Sequence, residues 1–298
     1  MKILFFFHND WVFGKIHNEL VKALYPDIYC DILDWTRGYI QQDMDSFINK
    51  YDYIMTTPDA ALTLLNHYKV PHDKIVVIAH QDWDIFRALD MGLKIEDFIK
   101  FKGYCVICPK LVTVSLAYKI PRIPKILKIG LFTNNYPKNK NSSVNNIGYF
   151  AKFSRIDSGF DVKRGELVKE VAIKYGVPFV HNEGLSFLGI ENAYSNISLM
   201  MFASLIEGNP YAALEAFACG IPVIGTDSGI FPDIARSGGG KIVSFEKDLF
   251  IEESLDFINK MNNDKCLYRE MSDASQEESK KFDWSVLRET WINYFNSL

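Results

Sequence analysis

The chain has 298 residues, of which 48% are hydrophobic and 23% charged, with a formal net charge of -4. This composition is ordinary for a soluble globular protein of about two domains. No apolar run approaches the roughly 18–20 residues that cross a bilayer, so the composition excludes an integral membrane protein with spanning helices. We predict a cytoplasmic protein with no nucleic-acid partner.

The five cysteines are scattered, which argues against a disulfide framework. Cys105 and Cys108 form a Cys-x-x-Cys in an apolar run, but no second pair accompanies them for zinc. We therefore expect buried thiols. The histidines show no metal-ligand spacing, and no metal site is predicted.

Strands and helices alternate in the first half of the chain. Apolar runs of this kind are typical of a parallel sheet that is covered on both faces. In such sheets the ligands bind at the carboxyl ends of the strands. The predicted strands are 2–7, 28–35, 51–57, 74–80, 104–109, 112–116 and 124–130, and the predicted helices are 15–24, 41–50 and 58–68.

His80 closes the buried strand 74–80, so it is expected to point into the crevice at the end of the sheet. Asp82 follows it and is placed to bond a hydroxyl group. The loop 8–14, after the first strand, contains Asp10, Trp11 and Gly14. Because Gly14 stands alone, the loop is not a dinucleotide fingerprint.

A basic segment and a polar linker close the first half. Residues 94–140 hold ten lysines or arginines against two acidic residues. Such a segment either contacts an anionic membrane or acceptor, or forms a solvated lysine surface. Residues 136–146 are rich in Asn, Ser and Lys without apolar period, so we place a domain boundary there.

The second half repeats the alternation of strands and helices. It ends with an amphipathic helix over 282–295, whose apolar residues recur at helical spacing. The predicted strands are 147–153, 177–182, 185–189, 199–204, 222–226 and one after the glycine turn 237–244, and the predicted helices are 163–176 and two within 248–281.

The segment 206–222, IEGNPYAALEAFACGIP, carries the strongest signal in the sequence. Asn209 is suited to cap a helix, and Pro210 to begin it. Gly220 fits the left-handed position at the helix end. The amides of 209–212 then provide the positive end of a helix dipole, which suits a phosphate.

This segment closely resembles the E-x7-E motif of retaining GT-B glycosyltransferases, in particular the large glycosyltransferase family 4. Two glutamates alone are a weak signal, but the match extends over many positions in register. They are Glu207, Gly208, Pro210, Leu214, Glu215, Ala216, Ala218, Gly220, Pro222, Val223 and Ile224.

The resemblance implies roles for single residues. Glu207 and His80 lie beside the donor sugar and are the expected catalytic residues, and Glu215 bonds the ribose hydroxyls. A pair of cations clamps the diphosphate: Lys152 or Arg155, and Lys163 or Arg164. These cations do the work that a metal does in other transferases, so no metal or cofactor is required. The remaining implied donor-binding residues are Gly14, Gly208, Asn209, Pro210, Tyr211 and Ala212, and Asp10, Trp11 and Asp82 lie on the acceptor side.

The implied fold is α/β with the GT-B architecture: two Rossmann-like domains face each other across a cleft, and a C-terminal helix crosses back. The predicted domains are 1–140 for the acceptor, 141–281 for the nucleotide sugar, and the returning helix 282–298. Four departures weaken the match. Ile129 and Phe132 replace the Asn and Asp of the hinge turn. In the later loop, Ile230 replaces a glycine and Asp233 replaces a glutamate.

The predicted activity is transfer of a hexose from a nucleoside-diphosphate sugar to an acceptor hydroxyl, with retention of configuration and without metal. The acceptor is expected to be a carbohydrate or a lipid-linked carbohydrate in polysaccharide biosynthesis. Peripheral membrane contact through residues 94–140 would fit a lipid-linked acceptor. Two alternatives stay open: a GT-B sugar phosphorylase, and a non-catalytic module that binds sugar nucleotides without turnover.

Overall fold

The computed structural model describes residues 1–8, 11–39, 41–157, 159–182 and 190–298. The chain divides into two compact units. The first comprises residues 1–130 and 284–298, and the second comprises 131–283.

A parallel sheet of six strands forms the centre of the first unit, in the order β2-β1-β3-β4-β5-β6. All its pairings are parallel. The apolar runs predicted as strands are buried as expected, since five of the six residues of β1 and all five of β4 are buried. The strands are β1 (Lys2–Phe7), β2 (Tyr29–Asp34), β3 (Tyr53–Thr56), β4 (Ile75–Ala79), β5 (Gly103–Val106) and β6 (Lys125–Ile126).

Helices connect these strands, as parallel pairing requires. They are α1 (Trp11–Leu24), α2 (Gln41–Lys50), α3 (Pro58–Asn66), α4 (Asp82–Asp90), α5 (Asp97–Lys100) and α6 (Pro109–Ala117). The strand order reverses between β1 and β3, the second and third strands of the sheet. In open α/β sheets such a switch point is where the carboxyl ends leave room for a ligand.

The second unit has a five-stranded sheet in the order β10-β7-β11-β12-β13, also parallel, and a small hairpin of β8 and β9. Its strands are β7 (Ile147–Tyr149), β8 (Ile156–Asp157), β9 (Phe160–Asp161), β10 (Phe179–His181), β11 (Leu199–Phe202), β12 (Val223–Thr226) and β13 (Gly240–Val243). Its helices are α7 (Gly165–Tyr175), α8 (Ile190–Ala193), α9 (Tyr211–Cys219), α10 (Phe231–Ala235), α11 (Lys247–Asn263) and α12 (Lys265–Lys280). Here the switch point lies between β7 and β11.

The last helix, α13 (Trp284–Asn296), belongs to the first unit. The indole N–H of Trp284 donates to Glu19 on α1 at 3.2 Å, and that of Trp291 donates to the carbonyl of Lys128 at 2.9 Å. The ring of Phe295 lies 6.4 Å from that of Phe5 on β1. The terminal helix therefore returns to the first unit, as the predicted fold class implied.

Two predicted elements are wrong. Residues 112–116, predicted as a strand, lie inside α6. Pro109 begins that helix. Ser115 is buried one turn after Leu111, and its hydroxyl donates to the carbonyl of Leu111 at 2.7 Å. The β-branched residues of this stretch concealed the helical spacing. Likewise α1 begins at Trp11, so Gly14 lies inside a helix and not in the predicted loop.

The boundary predicted after residue 140 lies within the second unit. The polar segment 136–146 is hydrogen-bonded to the rest of that unit at several places, two of them on α9. The hydroxyl of Tyr136 donates to Glu215 at 2.8 Å, and the amide N–H of Asn139 donates to the carbonyl of Cys219 at 2.7 Å. Hydrogen bonds to buried groups thus fix a segment whose composition suggested a linker.

Candidate functional site

Glu207 lies in the loop that follows β11, next to the switch point of the second sheet. β11 is wholly buried, so the chain reaches the sheet edge at Ala203 and turns into the loop that precedes α9. The carboxylate of Glu207 forms an ion pair with Lys163, and each of the two side chains is 16% exposed. The structure therefore brings together two of the predicted site residues.

Asp161, at the end of the β8–β9 hairpin, fixes the backbone of Lys163. One oxygen of its carboxylate accepts from the backbone N–H of Arg155 at 2.9 Å and of Lys163 at 3.0 Å. Burial alone would raise the pKa of Asp161, but these backbone hydrogen bonds outweigh it, and the pKa is lowered. An ionised Asp161 thus holds the start of the loop that presents Lys163.

Arg164 faces a different environment from its neighbour. Its backbone is left-handed, with φ of 51°. The guanidinium donates to the carbonyl of Ala203 at 2.7 Å and to that of Phe245 at 2.5 Å. Burial lowers its pKa, and the charge of Asp161 opposes the effect. Of the alternatives Lys163 and Arg164, the lysine contacts Glu207, and the arginine ties the ends of two strands together.

Glu215 is buried on α9, with 3% of its surface exposed. Each of its oxygens accepts from a tyrosine hydroxyl, from Tyr136 at 2.8 Å and from Tyr194 at 2.6 Å. Burial and the charge of Glu215 raise the pKa of Tyr194, so this phenol remains a donor. Neither tyrosine was singled out from the sequence. The signal for Tyr136 was an aromatic residue before proline in an otherwise polar segment.

The first turn of α9 differs from its prediction by one residue. The helix begins at Tyr211, with Pro210 at the cap position. The side-chain oxygen of Asn209 has no hydrogen-bond partner among the described residues, so the predicted capping bond is absent. The end of the helix is as predicted, because Gly220 is left-handed with φ of 76°. Ala212 is half-buried, and its carbonyl accepts from Tyr194 at 3.3 Å.

The loop after β12 packs directly on Gly208. The N–H of Ile230 donates to the carbonyl of Gly208 at 3.0 Å. Gly229 has φ of +57°, and a Cβ there would lie 2.3 Å from the same carbonyl oxygen. Only glycine permits this approach. The loops after two neighbouring strands thus brace each other, which fixes the backbone directly after Glu207.

In the first unit, His80 follows β4 and is 5% exposed. Its backbone N–H donates to the carboxylate of Asp84 at 2.7 Å, and Gln81 does the same at 3.2 Å. Burial raises the pKa of Asp84 to about 7, and the nearby charge of Asp59 adds to this, against the effect of these hydrogen bonds. Burial lowers the pKa of His80 to about 4, so its imidazole is neutral near pH 7.

A second histidine, His17, lies beside His80 in an aromatic cluster. It is 1% exposed and stacks on Phe7, with the ring centres 4.1 Å apart. The centre of the His80 ring lies 5.8 Å from that of His17, with the ring planes inclined by 63°, and Phe13 packs against both. Burial, with a smaller effect of His80, lowers the pKa of His17. The sequence analysis gave His17 no role, although it lies one turn after Gly14 on α1.

The other predicted residues are placed as follows. Gly14 is buried, and its carbonyl accepts from the Asn18 side chain at 2.7 Å. Asp82 bonds the backbone N–H of Trp83 at 2.9 Å. Lys152 is exposed, and Arg155 is half-buried before the hairpin. Asp10 lies outside the described residues, as do the predicted strand residues 185–189, and Trp11 begins α1.

A cavity of about 450 Å³ opens at the other end of the first sheet, where β4 begins. Its lining includes Lys69, His72, Lys94 and Lys100. Asp97 binds Lys100 at 2.9 Å and faces His72 at 3.5 Å. The cavity lies away from His80, and none of the predicted site residues lines it.

Among the residues that the structure describes, no group of three or more His, Cys, Asp or Glu side chains is arranged to bind a metal ion. Over the same part of the chain, none of the helices combines the length and apolar character that a bilayer crossing requires.

Residues 184–278 match the family described as "Glycosyl transferases group 1". This segment lies within the second unit and contains both Glu207 and Glu215. Among curated proteins, no sequence matches the chain significantly.

Solved structures resemble the whole chain. HepE of Anabaena in complex with UDP-glucose has a TM-score of 0.73 at 14% identity, with 100% of each chain covered. Sucrose-phosphate synthase from Thermosynechococcus elongatus has a TM-score of 0.67 at 11% identity, covering 100% of this chain and 98% of that one. The lipopolysaccharide outer core galactosyltransferase WaaB has a TM-score of 0.64 at 14% identity, with 100% of each covered.

At these identities the likeness concerns the fold. The two parallel sheets and their helices have the GT-B fold of glycosyltransferases, and the second unit carries the segment that matches the glycosyl transferase family.

Proposed function

We propose that the protein is a glycosyltransferase that moves a hexose from a nucleoside-diphosphate sugar to an acceptor hydroxyl. The observation that carries the proposal is the pairing of Lys163 with Glu207 at the switch point of the second sheet. There, a cation that can bind a diphosphate forms an ion pair with a carboxylate that can bind a sugar. The family match over residues 184–278 supports the same assignment.

Within the second unit, each group has a chemical task. Loss of a nucleoside diphosphate builds negative charge on the leaving phosphate, and Lys163 with the amides at the start of α9 stabilises it. Lys152 or Arg155 supplies the second cation. Glu207 holds the sugar and stabilises the positive charge that develops at the anomeric carbon. Glu215 accepts hydrogen bonds from the ribose.

Lys163 has two partners in this scheme. Without a donor it neutralises Glu207, and each buried charge then avoids most of its desolvation cost. When a diphosphate enters, the lysine shifts toward the phosphate, which carries more negative charge. Glu207 becomes free to bond the sugar hydroxyls.

In the first unit, we propose that His80 hydrogen-bonds a sugar hydroxyl. A neutral imidazole both donates and accepts, which suits a hydroxyl group. Burial holds the pKa of His80 at about 4, and the Asp84 carboxylate fixes the backbone that carries it. The cluster of Phe7, Phe13 and His17 packs around the ring and restrains its orientation.

We further propose that transfer retains the anomeric configuration, requires no metal, and uses a carbohydrate or lipid-linked acceptor. The resemblance of residues 206–222 supports retention. The basic segment 94–140 supports contact with an anionic membrane. Three of its apolar side chains are largely exposed: Ile99 at 57%, Leu116 at 55% and Ile123 at 75%.

A thermal-shift screen tests the proposal. The full chain is heated with UDP-, GDP-, ADP-, TDP- and CMP-sugars, each with and without magnesium. A ligand that binds only the folded state raises the melting temperature. We expect one nucleoside-diphosphate sugar to do so equally with and without magnesium. No shift with any of them contradicts the proposed function, and a shift only with magnesium contradicts its metal independence.

A further inference from the structure

The start of α4 carries two aromatic side chains that the proposed function does not use. The helix begins two residues after His80. Phe86 is 42% exposed and Trp83 is half-buried, and their ring centres lie 5.2 Å apart, with the ring planes inclined by 39°. One exposed aromatic residue is ordinary at a protein surface. Two rings in contact, close to a residue of the proposed site, are the apolar lining that ligand sites combine with a few polar groups.

A carboxylate borders this aromatic pair. Residues three and four apart on a helix are neighbours, so Phe86 lies next to both Trp83 and Asp82 on one face. One oxygen of Asp82 accepts from the backbone N–H of Trp83 at 2.9 Å, and its other oxygen forms no hydrogen bond or ion pair with the residues that the structure describes. The opposite face of the helix is buried through Asp84, Ile85 and Ala88. The aromatic pair and a hydrogen-bond acceptor therefore share the outer face.

The backbone that carries this face is fixed. The carboxylate of Asp84 accepts from the backbone N–H of His80 at 2.7 Å and of Gln81 at 3.2 Å. These bonds join the end of β4 to the first turn of α4, at the carboxyl edge of the sheet, where ligands of open α/β sheets bind. A preorganised surface loses little conformational entropy when a ligand binds. The aromatic pair thus stands on the same rigid segment as His80.

Carbohydrates suit this combination of groups. A pyranose has hydroxyl groups around its edge and C–H groups on its two faces. The face of an aromatic ring is negative and attracts the slightly positive C–H groups, while a carboxylate oxygen accepts from a hydroxyl. A lipid chain would use the rings but would bury the carboxylate against hydrocarbon, which is costly. The arrangement therefore favours a sugar.

We propose that Trp83 and Phe86 bind the acceptor sugar: the two rings stack on one face of a pyranose, and Asp82 accepts a hydrogen bond from one of its hydroxyl groups. The inference rests on the proposed function and deepens it, because it assigns the acceptor to carbohydrates with an unsubstituted pyranose face. It adds two residues of the first unit that determine acceptor specificity and take no part in binding the nucleotide.

The test compares transfer to a sugar with transfer to water, with the donor that the thermal-shift screen selects. The acceptor probes are the methyl glycosides of glucose, galactose and N-acetylglucosamine. Phe86→Ala and Trp83→Ala are each expected to raise the KM for the glycoside by about three- to tenfold, the scale of an aromatic contact. The KM for the donor and the rate of its hydrolysis by water should stay within about twofold of wild type, because neither involves the aromatic pair.

Two further variants separate the ring from the bulk of the side chain. Phe86→Tyr keeps the ring and should keep the wild-type KM for the glycoside, whereas Phe86→Leu keeps an apolar side chain without a ring and should behave as Phe86→Ala. Tyr29→Ala is the matched control, since Tyr29 is an aromatic residue of the same unit, 55% exposed, at the start of β2. If Trp83→Ala does not fold, the Phe86 variants decide the question.

Binding of the glycosides without donor is measured by saturation-transfer NMR. The C–H protons of the pyranose are expected to receive saturation from wild type and much less from Phe86→Ala. This measurement needs no turnover, so it decides the inference even if the proposed function fails.

The outcomes separate the inference from the proposed function. Unchanged glycoside KM and saturation in Phe86→Ala and Trp83→Ala overturn the inference alone, as does an equal effect in Tyr29→Ala. If wild type consumes the donor but neither binds nor uses any of the glycosides, the inference is overturned and the proposed function stands. Loss of sedimentation with anionic vesicles in Phe86→Ala, at unchanged glycoside KM, would assign the pair to a membrane surface instead. If wild type neither binds nor consumes any nucleotide sugar, the proposed function fails.

Discussion

Lys163 and Glu207 determine the charge at the carboxyl edge of the second sheet. At 16% exposure each, they are screened by water far less than a surface pair. The ion pair depends on more than the two residues that form it. It requires the Asp161 turn that presents Lys163 and the loop after β11 that presents Glu207. Three side chains from separate segments thus form the smallest part of the proposed site.

Replacing Glu207 separates binding from chemistry. In Glu207→Gln, nucleotide affinity is expected to stay within a few-fold of wild type, while turnover falls by about 10²-fold or more, since in the proposed function the charge acts on the transition state. Calorimetry and a donor-consumption assay measure the two quantities. Glu170→Gln is the control, because it removes a carboxylate from an exposed pair with Lys174 in the same unit. Equal losses of affinity and rate in Glu207→Gln would instead place Glu207 in ground-state recognition.

Replacing Lys163 affects the phosphate end. In Lys163→Met, affinity for a nucleoside diphosphate is expected to fall by about tenfold and affinity for the monophosphate by less, because in the proposed function the lost charge binds the outer phosphate. Titrating UDP and UMP measures both. Lys174→Met removes a lysine from the pair with Glu170 and should change neither. If affinity for both nucleotides is unchanged in Lys163→Met, the lysine does not hold the diphosphate.

At the scale of the element, the sequence predicts helices and strands best where all the local residue preferences favour the same structure. Strands such as 74–80 and the glycine end of α9 are confirmed within a residue or so. Residues 112–116 were predicted as a strand because β-branched residues favour strands. They form a helix because Pro109 begins one and the chain continues it. The partners of Glu215 were beyond prediction, since Tyr136 lies 79 residues away in sequence and no local pattern links the two.

The helix α1 brings His17 into the core, and the stability of the first unit should depend on pH as a result. The folded pKa of His17 lies below the unfolded value near 6.5, so its contribution is present above that pH and is lost as the pH falls. His17→Phe removes this loss. As the pH falls from 7.5 to 5.5, the free energy of unfolding of the variant is expected to rise by about 1.4 kcal/mol relative to that of wild type.

Urea unfolding at the two pH values measures this difference. His80 and Asp84 remain in both proteins, so their titration cancels in the comparison to first order. His67→Phe is the control, since His67 is exposed at the end of α3. An equal change with pH in wild type and His17→Phe would show that His17 does not stay neutral in the folded state.

At the scale of the whole molecule, alternation of strands and helices predicted parallel α/β halves, and the resemblance of residues 206–222 to GT-B glycosyltransferases implied two Rossmann-like domains. Their limits were not predictable from composition, because 131–140 is polar and yet bonded to α9 and its end. The chain leaves the first unit after Gly130 and re-enters it at Trp284. Leu131 and Asp283 pair there as a parallel bridge, and the N–H of Leu131 donates to the carbonyl of Phe282 at 3.0 Å.

The uneven charge of the chain leads to a prediction for membranes. Residues 94–140 carry an excess of basic residues, so the full chain is expected to sediment with vesicles containing anionic lipid and not with neutral ones. Raising the salt concentration should release it, because the attraction is electrostatic. Lys119→Glu combined with Lys125→Glu should weaken binding, whereas Lys260→Glu in the second unit should not. Equal sedimentation with neutral vesicles would rule out the basic segment as the cause.

The most direct measurement is an NMR time course of the donor sugar that the thermal-shift screen selects. Wild type and Glu207→Gln are each incubated with that donor, with water or a simple sugar as acceptor. The account predicts that wild type releases the nucleoside diphosphate, that the first sugar product keeps the anomeric configuration of the donor, and that Glu207→Gln is slower by about 10²-fold or more. Release no faster in wild type than in Glu207→Gln would contradict glycosyl transfer at this site.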